Sequence, residues 1–269
     1  MSETSAQILK SLNHTFSERD VTMSLTEAGL LVDRAEVVER IYAKHHNWGE
    51  VKERWHEERV HERGSRSSAQ RIFRIIKRRL QAGGNMLPAI SMLDELLRQC
   101  PTTQAKAQLL YYYLIQEDNL FRFVLHEVLR RQGVDRDQWS LSPKEVASIL
   151  SAFRYEDGSE LGYAESTLER WVQGFRSVLR DVGVIKKPYD DEGTVPTVDL
   201  PPLHVGAFYS WNVEGRQWPQ RPIGWLYLFQ SRVHRETLFD RLQSSDWWTA
   251  SQLRDQTVLT PVEAERRVS

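Results

Sequence analysis

Apolar residues recur at helical spacing from about residue 26 to about residue 188, where glycine and proline are sparse. That period puts them on one face of a helix, so this stretch is predicted to be helical. Thr26 is placed to cap a helix over 30–45, with Leu30, Val37, Val38 and Ile41 on its inner face. Asn47 reads as the next N-cap, with Glu50 as a capping-box partner. The helix it opens carries Trp48, Val51, Trp55 and Val60, and Gly64 breaks it. Another starts at Ser65 or Ser67 and runs to about Gln81, where Gly83-Gly84 stops it. Pro88 suits the first turn of a helix through Leu97. Pro101-Thr102 then opens a long stretch holding Leu109, Leu110, Tyr113, Leu114, Leu120, Phe123, Val124 and Val128. This is a predicted buried helical pair ending at Gly133, and 134–139 reads as a polar connection.

Ser142-Pro143 begins a second compact unit. A helix is predicted over 144–153, a glycine-containing loop follows, and a second helix covers 164–182 with Gly183 at C′. Residues 184–187 and 203–211 are both β-prone. They are predicted to form a two-stranded ribbon around a Pro/Gly/Asp-rich excursion, with Asp190-Asp191-Glu192-Gly193 at its tip. From Pro222 onward the pattern returns to helix, through Trp225, Leu226, Phe229, Leu238, Phe239 and Leu242. The expected fold is mainly α: a helical bundle with helix-turn-helix-like units and a small two-stranded wing, winged-helix-like in order. The expected domains are 1–134 and 135–269.

Composition narrows the function. The 269 residues include 36 Lys+Arg and 37 Asp+Glu, a formal net charge of −1. Any polyanion binding must therefore come from local clustering. Cys100 is the single cysteine, which excludes an intrachain disulfide and a multi-cysteine zinc site. The first residues lack the apolar run of a signal peptide. The longest apolar run, Leu109 to Ile115, is far short of the about 20 residues that span a membrane. A cytoplasmic protein without membrane contact is expected.

The main cluster is 63–81, with Arg63, Arg66, Arg71, Arg74, Lys77, Arg78 and Arg79 and no acid. On a helix, Ala69, Ile72, Phe73, Ile76 and Leu80 form the buried stripe. Arg71, Arg74 and Arg78 share the outer face, beside Gln70 and Lys77. Ser65, Ser67 and Ser68 put hydroxyls and free N–H groups at the first turn. Phosphate or base recognition needs that arrangement. With the helix before it and a glycine in the 62–65 connection, the pair reads as a helix-turn-helix. The bland alternative is a solvated basic face paired with Glu53, Glu57 and Glu58 of the preceding helix.

A second candidate surface lies on the 164–182 helix. Leu168, Trp171, Val172, Phe175, Leu179 and Val182 face inward. Ser166, Thr167, Arg170, Gln173, Ser177 and Arg180 face outward, and Lys186 and Lys187 stand at the ribbon base. The acidic tip would repel phosphate, so DNA docked here is expected to leave the tip pointing away; a packing unit without a ligand is the alternative. The nine tryptophans invite single-strand stacking. Core packing explains Trp48, Trp55 and Trp171 better, and Trp247-Trp248 remains a candidate partner surface. No enzyme is expected: His56 and His61 are five apart, not four, and no phosphate loop or nucleophile elbow occurs. No cofactor or metal is expected.

Three segments, 25–31 (LTEAGLL), 47–51 (NWGEV) and 65–80 with Arg71 and Arg78-Arg79-Leu80, resemble the BrxA family of the BREX bacteriophage-exclusion systems. So do 166–170 (STLER) and 179–183 (LRDVG), and the similarity runs from about 20 to 210. The resemblance implies a helical protein that binds double-stranded DNA within a multi-protein defence system. That system includes a methyltransferase, an ATPase and a phosphatase-like protein. The family's likeness to an RNA-binding antitermination factor keeps RNA open as a ligand, and a protein–protein scaffold is a further alternative. A membrane label carried by some members conflicts with this chain's hydropathy. The nucleic-acid-binding residues expected are Arg63, Arg66, Ser67, Ser68, Gln70, Arg71, Arg74, Lys77 and Arg78, with Ser166, Thr167, Arg170 and Lys186 as a secondary set.

Overall fold

The computed structural model describes Ser17 and residues 21–26, 28–57, 65–213, 222–230, 235–253 and 256–262. A short 3-10 turn, Ser24–Thr26, precedes α1, Val32–His45. Thr26 does not cap α1: its hydroxyl donates back to Met23 O at 2.7 Å, and Leu31, in the left-handed region at φ 56°, leads the helix in. α2 spans Trp48–Glu57, and Asn47 Oδ1 accepts from Gly49 N at 2.7 Å, the cap expected there. Glu50 pairs with His45 Nδ1 at 2.7 Å instead of closing a capping box. α3, Arg66–Ala82, is capped by Ser65, whose hydroxyl accepts from Ser68 N at 3.3 Å. α4, Ile90–Gln99, starts two residues after Pro88.

α5, Thr103–Glu117, is the axle of the molecule. Every residue from Ala107 to Ile115 is buried, the signature of a helix packed on all sides. It contacts α3 and α6, Asn119–Gln132. Its tyrosines anchor neighbours: Tyr113 donates to Pro88 O and Tyr112 to Gly224 O, each at 2.6 Å. Asp118 separates α5 from α6 and caps α6 by accepting from Phe121 N at 3.0 Å.

The second half opens with β1, Gln138–Ser140, where a polar connection was expected. α7, Pro143–Ser151, is capped by Ser142 with Pro143 in its first turn. α8, Glu165–Asp181, ends in a Schellman arrangement on Gly183 (φ 84°), with Gly183 N donating to Arg180 O at 3.0 Å and Val184 N to Leu179 O at 2.9 Å. β2, Glu192–Thr194, pairs antiparallel with β1, Trp139 opposite Gly193. The ribbon therefore differs from the expected one. Val184 O does accept from Thr194 N at 2.9 Å, but the ladder partner comes from before α7. Residues 203–211 belong to α9, Leu200–Val213, buried from Pro201 to Trp211. A short apolar run does not separate a buried strand from a buried helix, and the Pro201-Pro202 first turn favours the helix.

α9 packs on α5 and on α10, Ile223–Leu226. α11, Arg235–Gln243, continues the expected helical tail. An antiparallel hairpin of β3, Trp248–Leu253, and β4, Gln256–Pro261, is an addition to it. Trp248 is buried and donates from Nε1 to His204 Nδ1 at 2.7 Å, and half-buried Trp247 lies 4.7 Å from the His204 ring. The pair thus clamps the hairpin onto α9 rather than forming an exposed partner surface. The buried apolar residues form one cluster from Leu25 to Leu259.

Candidate nucleic-acid interface

Tryptophans fix the geometry of α2 and α3. Trp55, fully buried, donates from Nε1 to Ala69 O at 3.1 Å, and Trp48 and Trp55 lie 6.4 and 5.9 Å from the Phe73 ring. The inner face of α3 carries Ala69, Phe73, Ile75, Ile76, Arg79 and Leu80, and Ile72 is half-buried. The opposite face exposes Arg66, Ser67, Ser68, Gln70, Arg71, Arg74 and Arg78. Lys77 is half-buried, with Nζ 5.3 Å from the Trp48 ring centre. Its charge rests on an aromatic face rather than projecting with the arginines. Arg63 and residues 62–64 of the expected turn lie outside the described residues.

The last turn of α3 is engaged elsewhere. Arg78 pairs with Glu117 at 2.6 Å and donates to Thr22 Oγ1 at 3.1 Å, so a neighbouring carboxylate offsets its charge. Arg79 is buried and donates to Gly29 O at 2.5 Å and Ala28 O at 3.2 Å. Burial lowers its pKa to about 10, against the opposing pull of Glu117. Burial, then the charge of Glu117, raises Asp118 to about 7, and burial also raises Glu117. These groups form an internal ionic node tying α3 and the α5–α6 junction to Thr22, Ala28 and Gly29. Glu117 thus takes Arg78 out of the expected row at its C-terminal end, leaving Arg66 to Arg74 as its described part. The sequence held a clue: Arg79 falls on the same helical stripe as Ile72 and Ile76, and two adjacent acids interrupt an apolar stretch.

The secondary residues sit on and just after α8. Ser166, Arg170, Gln173 and Lys186 are exposed and Thr167 is half-buried. Ser177 and Arg180, expected outside, are half-buried and bonded to each other at 2.9 Å. Sequence reasoning missed Arg176. This buried guanidinium donates to Leu141 O, to Pro188 O at 3.2 Å and to Asp190 O at 2.9 Å, and so braces the loop before β2. The primary and secondary sets form two groups on separate helices. Residues just before α1 touch both: Thr22, Ala28 and Gly29 hold Arg78 and Arg79, and Leu25 lies against Gly174 of α8.

A BrxA family model matches residues 20–198. The chain belongs to the BrxA family. The BrxA match spans α1 to α8 with both strands of the first ribbon, so both candidate surfaces lie inside it. α9 to β4 follow it in the chain. BrxA membership points to a component of a BREX phage-defence system. No curated protein and no solved structure matches the chain. No helix among the described residues is long and apolar enough to cross a membrane.

Proposed function

We propose that this BrxA protein is a non-enzymatic, DNA-binding accessory component of the defence system. The N-terminal half of α3 is its main contact with duplex DNA, and α8 a second. The observation that carries this reading is the row Arg66, Gln70, Arg71 and Arg74, exposed on one helix that Trp55 locks in place. Guanidinium forks on a rigid helix suit both phosphate and base edges. The order α6, β1, α7, α8 and β2, with Val184 O bonded to Thr194 N, supports a winged-helix reading of the second unit. In that reading α8 is the recognition helix, and Ser166, Thr167, Arg170 and Lys186 face the nucleic acid.

Duplex binding measured across salt tests the proposal. Each phosphate contact contributes about −0.9 to the slope of log K against log salt, so R71A/R74A should bind more weakly and lose up to about 2 from that slope. Circular dichroism should show an unchanged fold. A folded double variant that binds like the parent overturns α3 as the contact, and a parent protein that binds no duplex overturns the function.

A further inference from the structure

The loop between Ile185 and β2 reads as acidic in sequence, yet its geometry sorts the charges. Asp190 is half-buried, and its carboxylate accepts from the Lys187 backbone N–H at 2.9 Å. The Asp191 backbone carbonyl accepts from Leu141 N at 2.7 Å, and its carboxylate lies 3.5 Å from the Arg176 guanidinium. Glu192 is exposed but sits in β2, opposite Ser140. Asp191, 65% exposed, and Glu192 therefore stand at the sheet end of the loop, while the Asp190 carboxylate turns onto the Lys187 backbone. Lys186, Lys187 and Pro188 are exposed, and Tyr189 is 76% exposed, the most of the three exposed large apolar side chains among the described residues. Lys187 Nζ lies 5.9 Å from the Tyr189 ring centre. Arg176, donating to Pro188 O and Asp190 O on either side of Tyr189, holds this presentation from within.

An aromatic ring left in water beside the Lys187 ammonium, with Lys186 exposed just before it and a buried arginine bracing the loop, matches the chemistry of a nucleic-acid groove. The lysines supply phosphate neutralisation, and the ring supplies apolar area against sugars and base edges. We propose that the Lys186–Tyr189 tip is a duplex-DNA contact in which the Tyr189 ring enters a groove and Lys186 and Lys187 meet the flanking phosphates. The proposal rests on the DNA-binding reading above. It reverses the expectation that the tip points away from DNA.

The two chemistries separate in one salt titration. Y189A should weaken duplex binding roughly tenfold, the scale of one aromatic–nucleotide contact, and leave the salt slope unchanged. K186A/K187A should lower the slope by up to about 2. Y189F should bind like the parent. A photoreactive phenylalanine analogue at 189 should crosslink to duplex. Parent-like binding by Y189A with no crosslink overturns the tip contact while leaving the α3 reading intact. A Y189A loss seen only with single-stranded oligonucleotide overturns the duplex assignment. Failure of the parent to bind duplex is the distinct outcome that removes the reading beneath it.

Discussion

Glu39 shows how far a residue's environment can outrun its type. It lies on α1, fully buried, and neither carboxylate oxygen has a hydrogen-bond partner among the described residues. Burial, followed by the charge of Asp94, raises its pKa from 4.5 to about 9. The folded chain therefore retains a proton that the unfolded chain releases from about pH 4.5 upward. This contribution to stability is complete below that pH and is lost as pH rises through about 9, with a slope of up to ~1.4 kcal/mol per pH unit. E39Q, neutral at every pH, should gain on the parent in urea unfolding as pH climbs from about 6 to about 8. A stability difference constant across that range would show that the buried carboxyl does not titrate this way. The sequence hid this site, because a glutamate beside Val38 reads as surface by type and only packing shows otherwise.

Along α3, adjacent arginines belong to different structures, and substitution should separate them. Arg74 is exposed on the outer face, whereas Arg78 covers Glu117, whose side chain is only 6% exposed. R78A leaves that carboxylate without its closest cation. It should cost about 1–2 kcal/mol, a buried-pair loss discounted for the half-exposed arginine. R74A should leave the thermal midpoint in place and weaken DNA binding. Equal midpoints for the two variants would remove Arg78 from the structural node. Helices like α3 were legible because their ends carry local signals: Ser65, Thr102 and Ser142, read only as places where a helix or unit opens, are caps in the structure, and Gly183 closes α8. The sheet was not. β1 and β2 are three residues each and lie far apart in sequence, so no local period marks them. The face of α3 was likewise legible by period. The carboxylates that claim its last turn come from α5 and the residue after it, which no single-helix pattern contains.

At the scale of the molecule, the near-neutral charge matters less than how the two candidate surfaces are joined. Residues 22–26 and 28–31 are the joint. Their carbonyls hold Arg79 at one end of α3, and Leu25 presses against α8 at Gly174. A Cβ at Gly174 would overlap the Leu25 carbonyl, a backbone group with little room to yield because the 3-10 turn packs along α8. Alanine is the better helix former by about 1 kcal/mol, so propensity alone makes G174A stabilising. Steric overlap predicts the reverse, a loss of about 1–3 kcal/mol as in overpacked cores. The displaced segment would also loosen the Arg79 carbonyl bonds, some distance along the chain from the substitution. Gly162 is the control, since nothing lies within 4 Å of its Cβ position and its φ is not positive. G162A should therefore be neutral or slightly stabilising through the unfolded chain. Hydrogen exchange should then show faster opening at the C-terminal turn of α3 in G174A and not in G162A. If G174A is as stable as the parent, residues 22–26 and 28–31 do not fasten the two helices together, and each surface is held by its own neighbours alone.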